Sequence, residues 1–245
     1  GQHPLFRARG VFDHGDRRCA VGAVHQQAAL HETGRFLAHV DRGDFAIHPF
    51  DRGSDGFEAL ININEVAIKG THNISNALAA LSLGYAAGIE MNAMLDTLRE
   101  YKGLDHRCQW VRAVDGVDYI NDSKGTNVGA TVTAVNSFGV AEERTLILIA
   151  GGDGKGADFT PLQNAASTYA RMVILYGQDA DKIESDLNGL VAVTRVDSLE
   201  QAVKCAHENA NKGDTVLLSP ACASFDMFSG YEQRGDVFVN AVRQL

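Results

Sequence analysis

The chain has 245 residues, 45% of them hydrophobic, enough for one large domain or two ordinary ones around a real core and too apolar for a disordered tail. With 22 basic and 31 acidic side chains its net charge is -9, which disfavours nucleic acid or an anionic membrane as partner, although local cations can still receive a small anion. Cys19, Cys108, Cys205 and Cys222 form no C-x-x-C pair, so reduced thiols in a cytoplasmic protein are expected, with neither a disulfide framework nor a metal site.

No secretory signal pattern opens the chain, and no apolar run approaches the roughly 18 residues of a membrane span, so no membrane partner is expected. Gly1 stands where Met would, with His3 and Pro4 close behind, which suggests a cut or engineered start. Short alternating runs at 19–24, 34–40, 45–50 and 57–68, separated by Asp, Gly and Arg clusters, predict a small, mostly antiparallel sheet. The first twenty residues are too polar and irregular to assign.

From Asn73 the period changes. Ile74, Leu78, Leu81 and Tyr85 recur at helical spacing, with Gly88 placed to end the helix. A second helix, about 91–101, is stopped by Gly103. Asn73 and Asn76 lie three apart in the opening turn of the first helix, so their amides share one face and each offers a donor and an acceptor, as the edge of an adenine ring requires. The same residues also suit a plain helix start. Residues 103–107, Gly-Leu-Asp-His-Arg, form a short connector, and the expected division is 1–106 and 107–245.

Beyond it the pattern is regular. The runs 109–114 and 117–120 predict a hairpin across Asp115-Gly116, a pair that favours a tight turn. Strands at 145–150, 172–176, 191–194 and 215–219 alternate with helices at about 128–138, 161–170, 179–188, 198–211 and 231–244, which argues an α/β fold with a mostly parallel sheet and helices on both faces. Thr160 before Pro161, and Ser198 with Gln201, read as helix starts.

Three loops carry the polar groups. Residues 120–127, Ile-Asn-Asp-Ser-Lys-Gly-Thr-Asn, join a strand to a helix and place Asp122, Ser123, Lys124 and Thr126 beside a helix N-terminus, which attracts anions. A polar loop capped by Thr126 would look similar. Residues 151–159 are glycine-rich around Lys155 and read as a flexible holder for a carboxylate or phosphate, or as a plain connector. Residues 220–226 follow another strand. Loops at the carboxyl edge of a parallel sheet converge.

Gly152, Gly154 and Ala157 fit G-x-G-x-x-A, with Asp179 about 25 residues on, but the helix start at Thr160-Pro161 comes too late for a dinucleotide fingerprint. Ser224 and Cys222 lack the G-x-S-x-G elbow and a sequence-placed His, so an anion cradle is the better reading of that loop. No G-x-x-x-x-G-K-[ST] phosphate loop occurs.

Together, residues 70–73 with 76–78, and 103–107, 121–127, 151–159, 218–226 and 231–235, resemble the C-terminal part of a Mur ligase, of the branch that adds D-glutamate, over roughly 60–245. The resemblance implies a Rossmann-like C-terminal domain that binds the amino acid, preceded by the tail of a central ATPase-type α/β domain. It implies that ATP phosphorylates the L-alanyl carboxylate of UDP-N-acetylmuramoyl-L-alanine and that D-glutamate attacks the acyl phosphate, in peptidoglycan precursor synthesis. By similarity Asn73, Asn76, Arg107 and Asp122 serve the nucleotide, with Lys124 near the transferring phosphate. Thr126, Lys155, Ser224, the Phe225 backbone and Tyr231 hold D-glutamate. Tyr231 stands where the family has Phe, and Gly125 where Ala is usual; both departures read as mild.

The family's UDP-sugar domain, P-loop, Mg2+ ligands and carbamylated lysine have no counterpart in these 245 residues. The expectation is therefore a monomeric fragment, inactive alone, whose first 60 residues match weakly and whose hinge lies at 103–107. A stand-alone, non-catalytic module that binds D-glutamate and nucleotide is the alternative.

Overall fold

The computed structural model describes residues 27–28, 36–41, 44–49, 58–140 and 143–245. The run expected at 19–24 lies outside the described residues. Strands β1 (Gln27–Ala28), β2 (Phe36–Asp41), β3 (Asp44–Pro49) and β4 (Glu58–Asn62) form an antiparallel sheet in chain order. The last run stops being a strand at Asn62. There the Asn62 side chain accepts the Asn64 amide and the Glu65 carboxylate accepts the Asn62 amide, a capping box that starts a single 3-10 turn instead.

Helices α1 (Thr71–Ala86) and α2 (Met91–Glu100) follow. The turn between them is closed by Gly88 at φ 79°, a conformation costly for residues with a Cβ. Leu78 and Leu81 of α1 pack with Leu95 and Leu98 of α2, Ile61 and Val66 into one small core. Tyr85, expected on the same apolar stripe, is instead 45% exposed at the far end of α1.

The second sheet has the order β5 (Gln109–Val114), β6 (Val117–Asn121), β10 (Thr215–Leu218), β7 (Leu146–Gly151), β8 (Ala170–Tyr176), β9 (Ala192–Arg195). Only the β5–β6 pair is antiparallel, and its turn has positive φ at both Asp115 and Gly116, as a two-residue hairpin with right-handed strand twist requires. Every residue of β7 is buried, the mark of a central parallel strand covered on both faces.

Helices α3 (Val128–Phe138), α4 (Leu162–Tyr169) and α5 (Ala180–Leu187) fill one face with Ala134, Val135, Leu162, Ile183 and Leu187. Helices α6 (Leu199–Asn209) and α7 (Tyr231–Arg243) fill the other with Leu199, Val203, Phe238 and Val242. The chain leaves β6 and β7 towards the first face and β10, lying between them, towards the second. That reversal opens a crevice at the carboxyl ends of the three strands, where open α/β sheets bind ligands.

Three helix starts differ from expectation. Asn127, not Thr126, caps α3, its side chain accepting the Ala130 amide at 2.9 Å. Thr160 caps nothing: its amide and hydroxyl both donate to Asp158 Oδ1, which shapes the approach to α4. Ser198 does cap α6 by accepting the Gln201 amide, but Gln201 Oε1 reaches the Asp197 amide, so the box closes one residue early.

Candidate functional site

The loops leaving β6, β10 and β7 are stitched into one floor. The Asp122 amide donates to the Leu218 carbonyl at 2.7 Å and the Ala221 amide to the Gly125 carbonyl at 2.9 Å. Asp153 and Ala223 exchange both backbone hydrogen bonds, at 3.1 and 2.8 Å. This pairing requires Gly152: at φ 124°, a Cβ there would stand 2.2 Å from the Ala223 carbonyl oxygen. His106, Cys108, Lys155 and Ala221, all around this floor, have positive φ, a strain of order 1–3 kcal/mol each that clusters where geometry is imposed.

The loop 151–159, read from sequence as a flexible holder, is instead pinned. Asp179 Oδ2 accepts the Gly154 amide at 2.6 Å, and Asp153 Oδ1 accepts the Lys155 amide at 2.8 Å. With its backbone held, Lys155 projects its exposed ammonium 5.9 Å from the ring centroid of Phe225. Asp179, considered as the acidic partner of a dinucleotide fingerprint, is used up in this support.

Asn73, Asn76, Arg107, Asp122 and Lys124 line one cavity of about 330 Å³ between α1 and the start of α3. The structure thus gathers the five residues assigned by resemblance to the nucleotide and phosphate. Asn73, Asn76 and Arg107 also border a second cavity of about 320 Å³ against Leu98, Tyr101 and Trp110. The two asparagines are linked, Asn76 Nδ2 donating to Asn73 Oδ1 at 3.2 Å while Asn73 Nδ2 donates to the Lys69 carbonyl at 2.6 Å. Two cations, Arg107 and Lys124, face the first cavity in a chain of net charge -9, so the local field there opposes the global one.

Asp122 is 7% exposed. Burial holds its carboxyl above the usual carboxylate range, while hydrogen bonds from Ser219 Oγ at 2.8 Å and the Cys108 amide at 3.2 Å pull the other way. Ser219 is itself fixed by Thr131, whose hydroxyl meets both the Ser219 hydroxyl and its carbonyl. Burial beside Asp122 pushes the Cys108 thiol far up, and burial lifts Cys222 to about 12, so neither is a thiolate nucleophile. The departure at Gly125 is less mild than it reads in sequence, because a Cβ there would come within 2.5 Å of Asp122 Oδ2 and 2.6 Å of Ser219 Oγ.

Lys124 is held at both ends. Its amide donates to the His106 carbonyl at 2.9 Å, and its ammonium lies 3.7 Å from the centroid of the Tyr231 ring. Tyr231 opens α7 and so joins the lysine to a third element. Thr126 follows in the same turn, its amide donating to the Lys124 carbonyl at 2.8 Å. Ser224 is buried, with its carbonyl accepting the Met227 and Phe228 amides, whereas Phe225 is 69% exposed. Thr126, Lys155, Ser224, Phe225 and Tyr231 are therefore divided among the three loops and the start of α7, and none of them lines the cavity that holds Lys124.

Sequence reasoning missed Ser219, Thr131 and Arg234. Ser219 and Arg234 lay inside quoted stretches but received no role; Thr131 sits in an otherwise apolar helix segment and belongs to no motif. Among the described residues no group of three or more His, Cys, Asp or Glu side chains is gathered as a metal site. No helix among them is long and apolar enough to cross a membrane.

Residues 106–222 match the family described as Mur ligase, glutamate ligase domain. The chain is 55% identical over 190 residues to UDP-N-acetylmuramoylalanine–D-glutamate ligase of Legionella pneumophila, covering 78% of this chain and 42% of that protein. It is 54% identical over 241 residues to the protein of the same name from Marinobacter nauticus, covering 94% and 54%. It spans about half the length of these curated relatives. Among solved structures, UDP-N-acetylmuramate-alanine ligase from Thermotoga maritima superposes with a TM-score of 0.56 at 16% identity, over 86% of this chain and 44% of that one. A MurF ligase from the same organism, solved with ADP, gives 0.52 at 14% over 92% and 48%. These likenesses show the fold.

Proposed function

From a chain that belongs to the Mur ligases through its residues 106–222, we propose the C-terminal part of an ATP-dependent ligase that adds D-glutamate to UDP-N-acetylmuramoyl-L-alanine. The observation that carries this reading is the single cavity in which Arg107 and Lys124 face Asn73 and Asn76 at the carboxyl edge of the sheet. Phosphoryl transfer needs cations around the moving oxygens and little else from the protein, and here two stand together.

In this account the amides of Asn73 and Asn76 bear on the nucleotide, Arg107 and Lys124 on its phosphates, and Asp122 fixes the loop from which Lys124 projects. A substrate carboxylate oxygen attacks the γ-phosphorus, and ADP leaves. The D-glutamate nitrogen then attacks the carbonyl carbon of the acyl phosphate, sheds a proton and expels inorganic phosphate. Thr126, Lys155, Ser224, the Phe225 backbone and Tyr231 hold D-glutamate, since a dicarboxylate needs fixed donors for both ends. Mg2+ belongs to the family's chemistry. Among the described residues no cluster of three or more His, Cys, Asp or Glu side chains is gathered to hold it.

We divide the chain at 106–107 into the tail of a central ATPase-type domain and an amino-acid-binding domain, with 103–107 as the hinge. Separate cores, one around α1 and α2 and two on the faces of the second sheet, support that division. A cytoplasmic monomer remains part of the reading. With no P-loop in its 245 residues, the chain mixed with ATP, D-glutamate and UDP-N-acetylmuramoyl-L-alanine is expected to release no phosphate. The test of the site is amide chemical-shift mapping with ADP. Shifts centred on Asn73, Asn76, Arg107 and Lys124 support the assignment, and shifts confined to other parts of the chain contradict it.

A further inference from the structure

Arg234, in the first turn of α7, is 0% exposed. Its Nε donates to Ser123 Oγ at 2.9 Å, its Nη2 to the Ser123 carbonyl at 2.8 Å and its Nη1 to the Cys222 carbonyl at 3.1 Å. Ser123 Oγ in turn donates to the Tyr231 carbonyl at 2.7 Å. The three acceptors of these bonds are uncharged, and among the described residues Arg234 forms no ion pair within 4 Å, although the Tyr176 hydroxyl and the Asp226 carboxylate favour its charged form from nearby. A buried cation without a counter-ion is costly, and filling space alone is done better by an apolar side chain.

What the guanidinium adds is geometry. Its planar fork takes both oxygens of Ser123 and reaches across to Cys222, a pattern that an ammonium cannot reproduce. Ser123 immediately precedes Lys124, and Cys222 lies two residues before Ser224. The same turn of α7 begins with Tyr231, whose ring meets Lys124. One side chain therefore ties the loop after β6 to the loop after β10, and both to the start of α7.

We propose that Arg234 is a positioning residue that locks these loops in one register and places its buried positive charge against them, so that capture of a dicarboxylate depends on a group that never touches it. The ligand half of this inference rests on the D-glutamate reading above. The locking half does not.

The experiment measures amide hydrogen exchange and D-glutamate titration on the purified chain, for the unaltered protein, Arg234→Lys and Ser123→Ala. Arg234→Lys is expected to speed exchange about tenfold at the Lys124, Ala221 and Ala223 amides, to leave those of β7 and β8 within about twofold, and to weaken D-glutamate about tenfold. Unchanged loop exchange, or exchange accelerated equally throughout both faces of the sheet, overturns the inference, the latter making Arg234 ordinary core support. If Arg234→Lys does not fold, Ser123→Ala decides: local acceleration at the same amides supports the lock, and its absence overturns it. Loop exchange that responds as expected in a chain that binds no D-glutamate would contradict the ligand reading and leave the lock standing.

Discussion

Ser219 and Asp122 meet across neighbouring strands, the Ser219 hydroxyl donating to Asp122 Oδ2 at 2.8 Å with both residues buried. The contact joins the ends of β10 and β6 beneath the loop that carries Lys124. Ser219→Ala would strip a buried carboxylate of one of its donors, at a cost of about 1–3 kcal/mol in the urea unfolding free energy. It would also raise the Asp122 carboxyl further, since the Ser219 hydrogen bond is the largest effect opposing burial. An unaltered midpoint in urea would show that the pair is not what holds this loop.

Lys124 rests on a ring, not on a hydroxyl. Tyr231→Phe therefore keeps the partner and is expected to leave D-glutamate affinity within about twofold, while Tyr231→Ala frees the ammonium and costs about 0.5–1 kcal/mol of binding. Calorimetric titration of the two variants checks this. Equal loss in both would move the role from the ring to the hydroxyl.

Lys155 stands on a pinned loop with its ammonium exposed, so it is free to meet a ligand carboxylate. Lys155→Ala is expected to weaken D-glutamate by about 1.5–3 kcal/mol and to leave ADP binding nearly unchanged. Parallel titrations with the two ligands separate the outcomes, and equal loss of both would contradict its assignment to the amino acid.

His72 lines the cavity against Phe138, and burial holds its imidazole below the usual value of 6.5. Below that pH the unfolded chain takes up a proton that the folded chain resists, so the unfolded state binds more protons and stability falls as pH drops. The loss begins at about 6.5 and runs down through the folded value. The drop in unfolding free energy between about pH 7.5 and 5.5 is expected to shrink in His72→Phe. An identical drop in both proteins would show that His72 is not among the groups responsible.

Much of the second sheet was legible because buried parallel strands leave uninterrupted apolar runs such as Leu146–Gly151, and helices between them leave a different period. The Asp115-Gly116 turn was legible because few other pairs accept positive φ twice. Convergence of three loops followed from the alternation, and the insertion of β10 between β6 and β7 is what brings them side by side. Arg234 was hidden for a general reason: an arginine in a helix's first turn reads as solvated, and only the fold shows that Ser123 and Cys222 close over it. Thr126 and Thr160 were misread as caps because Asn127 and Asp158, equally good acceptors, stand next to them or two residues before. Gly125 read as neutral because the pressure on it comes from the way the loop folds back on Asp122 and meets Ser219, 94 residues away in sequence.

The central claim is that residues 107–245 build a pocket for D-glutamate. The most direct measurement is a titration of the purified chain with D-glutamate and, in parallel, L-glutamate, followed by amide chemical shifts. The account predicts selective binding of the D-enantiomer with shifts at Lys124, Thr126, Lys155, Ser224 and Tyr231. Equal responses to both enantiomers, or no response to either, would contradict it.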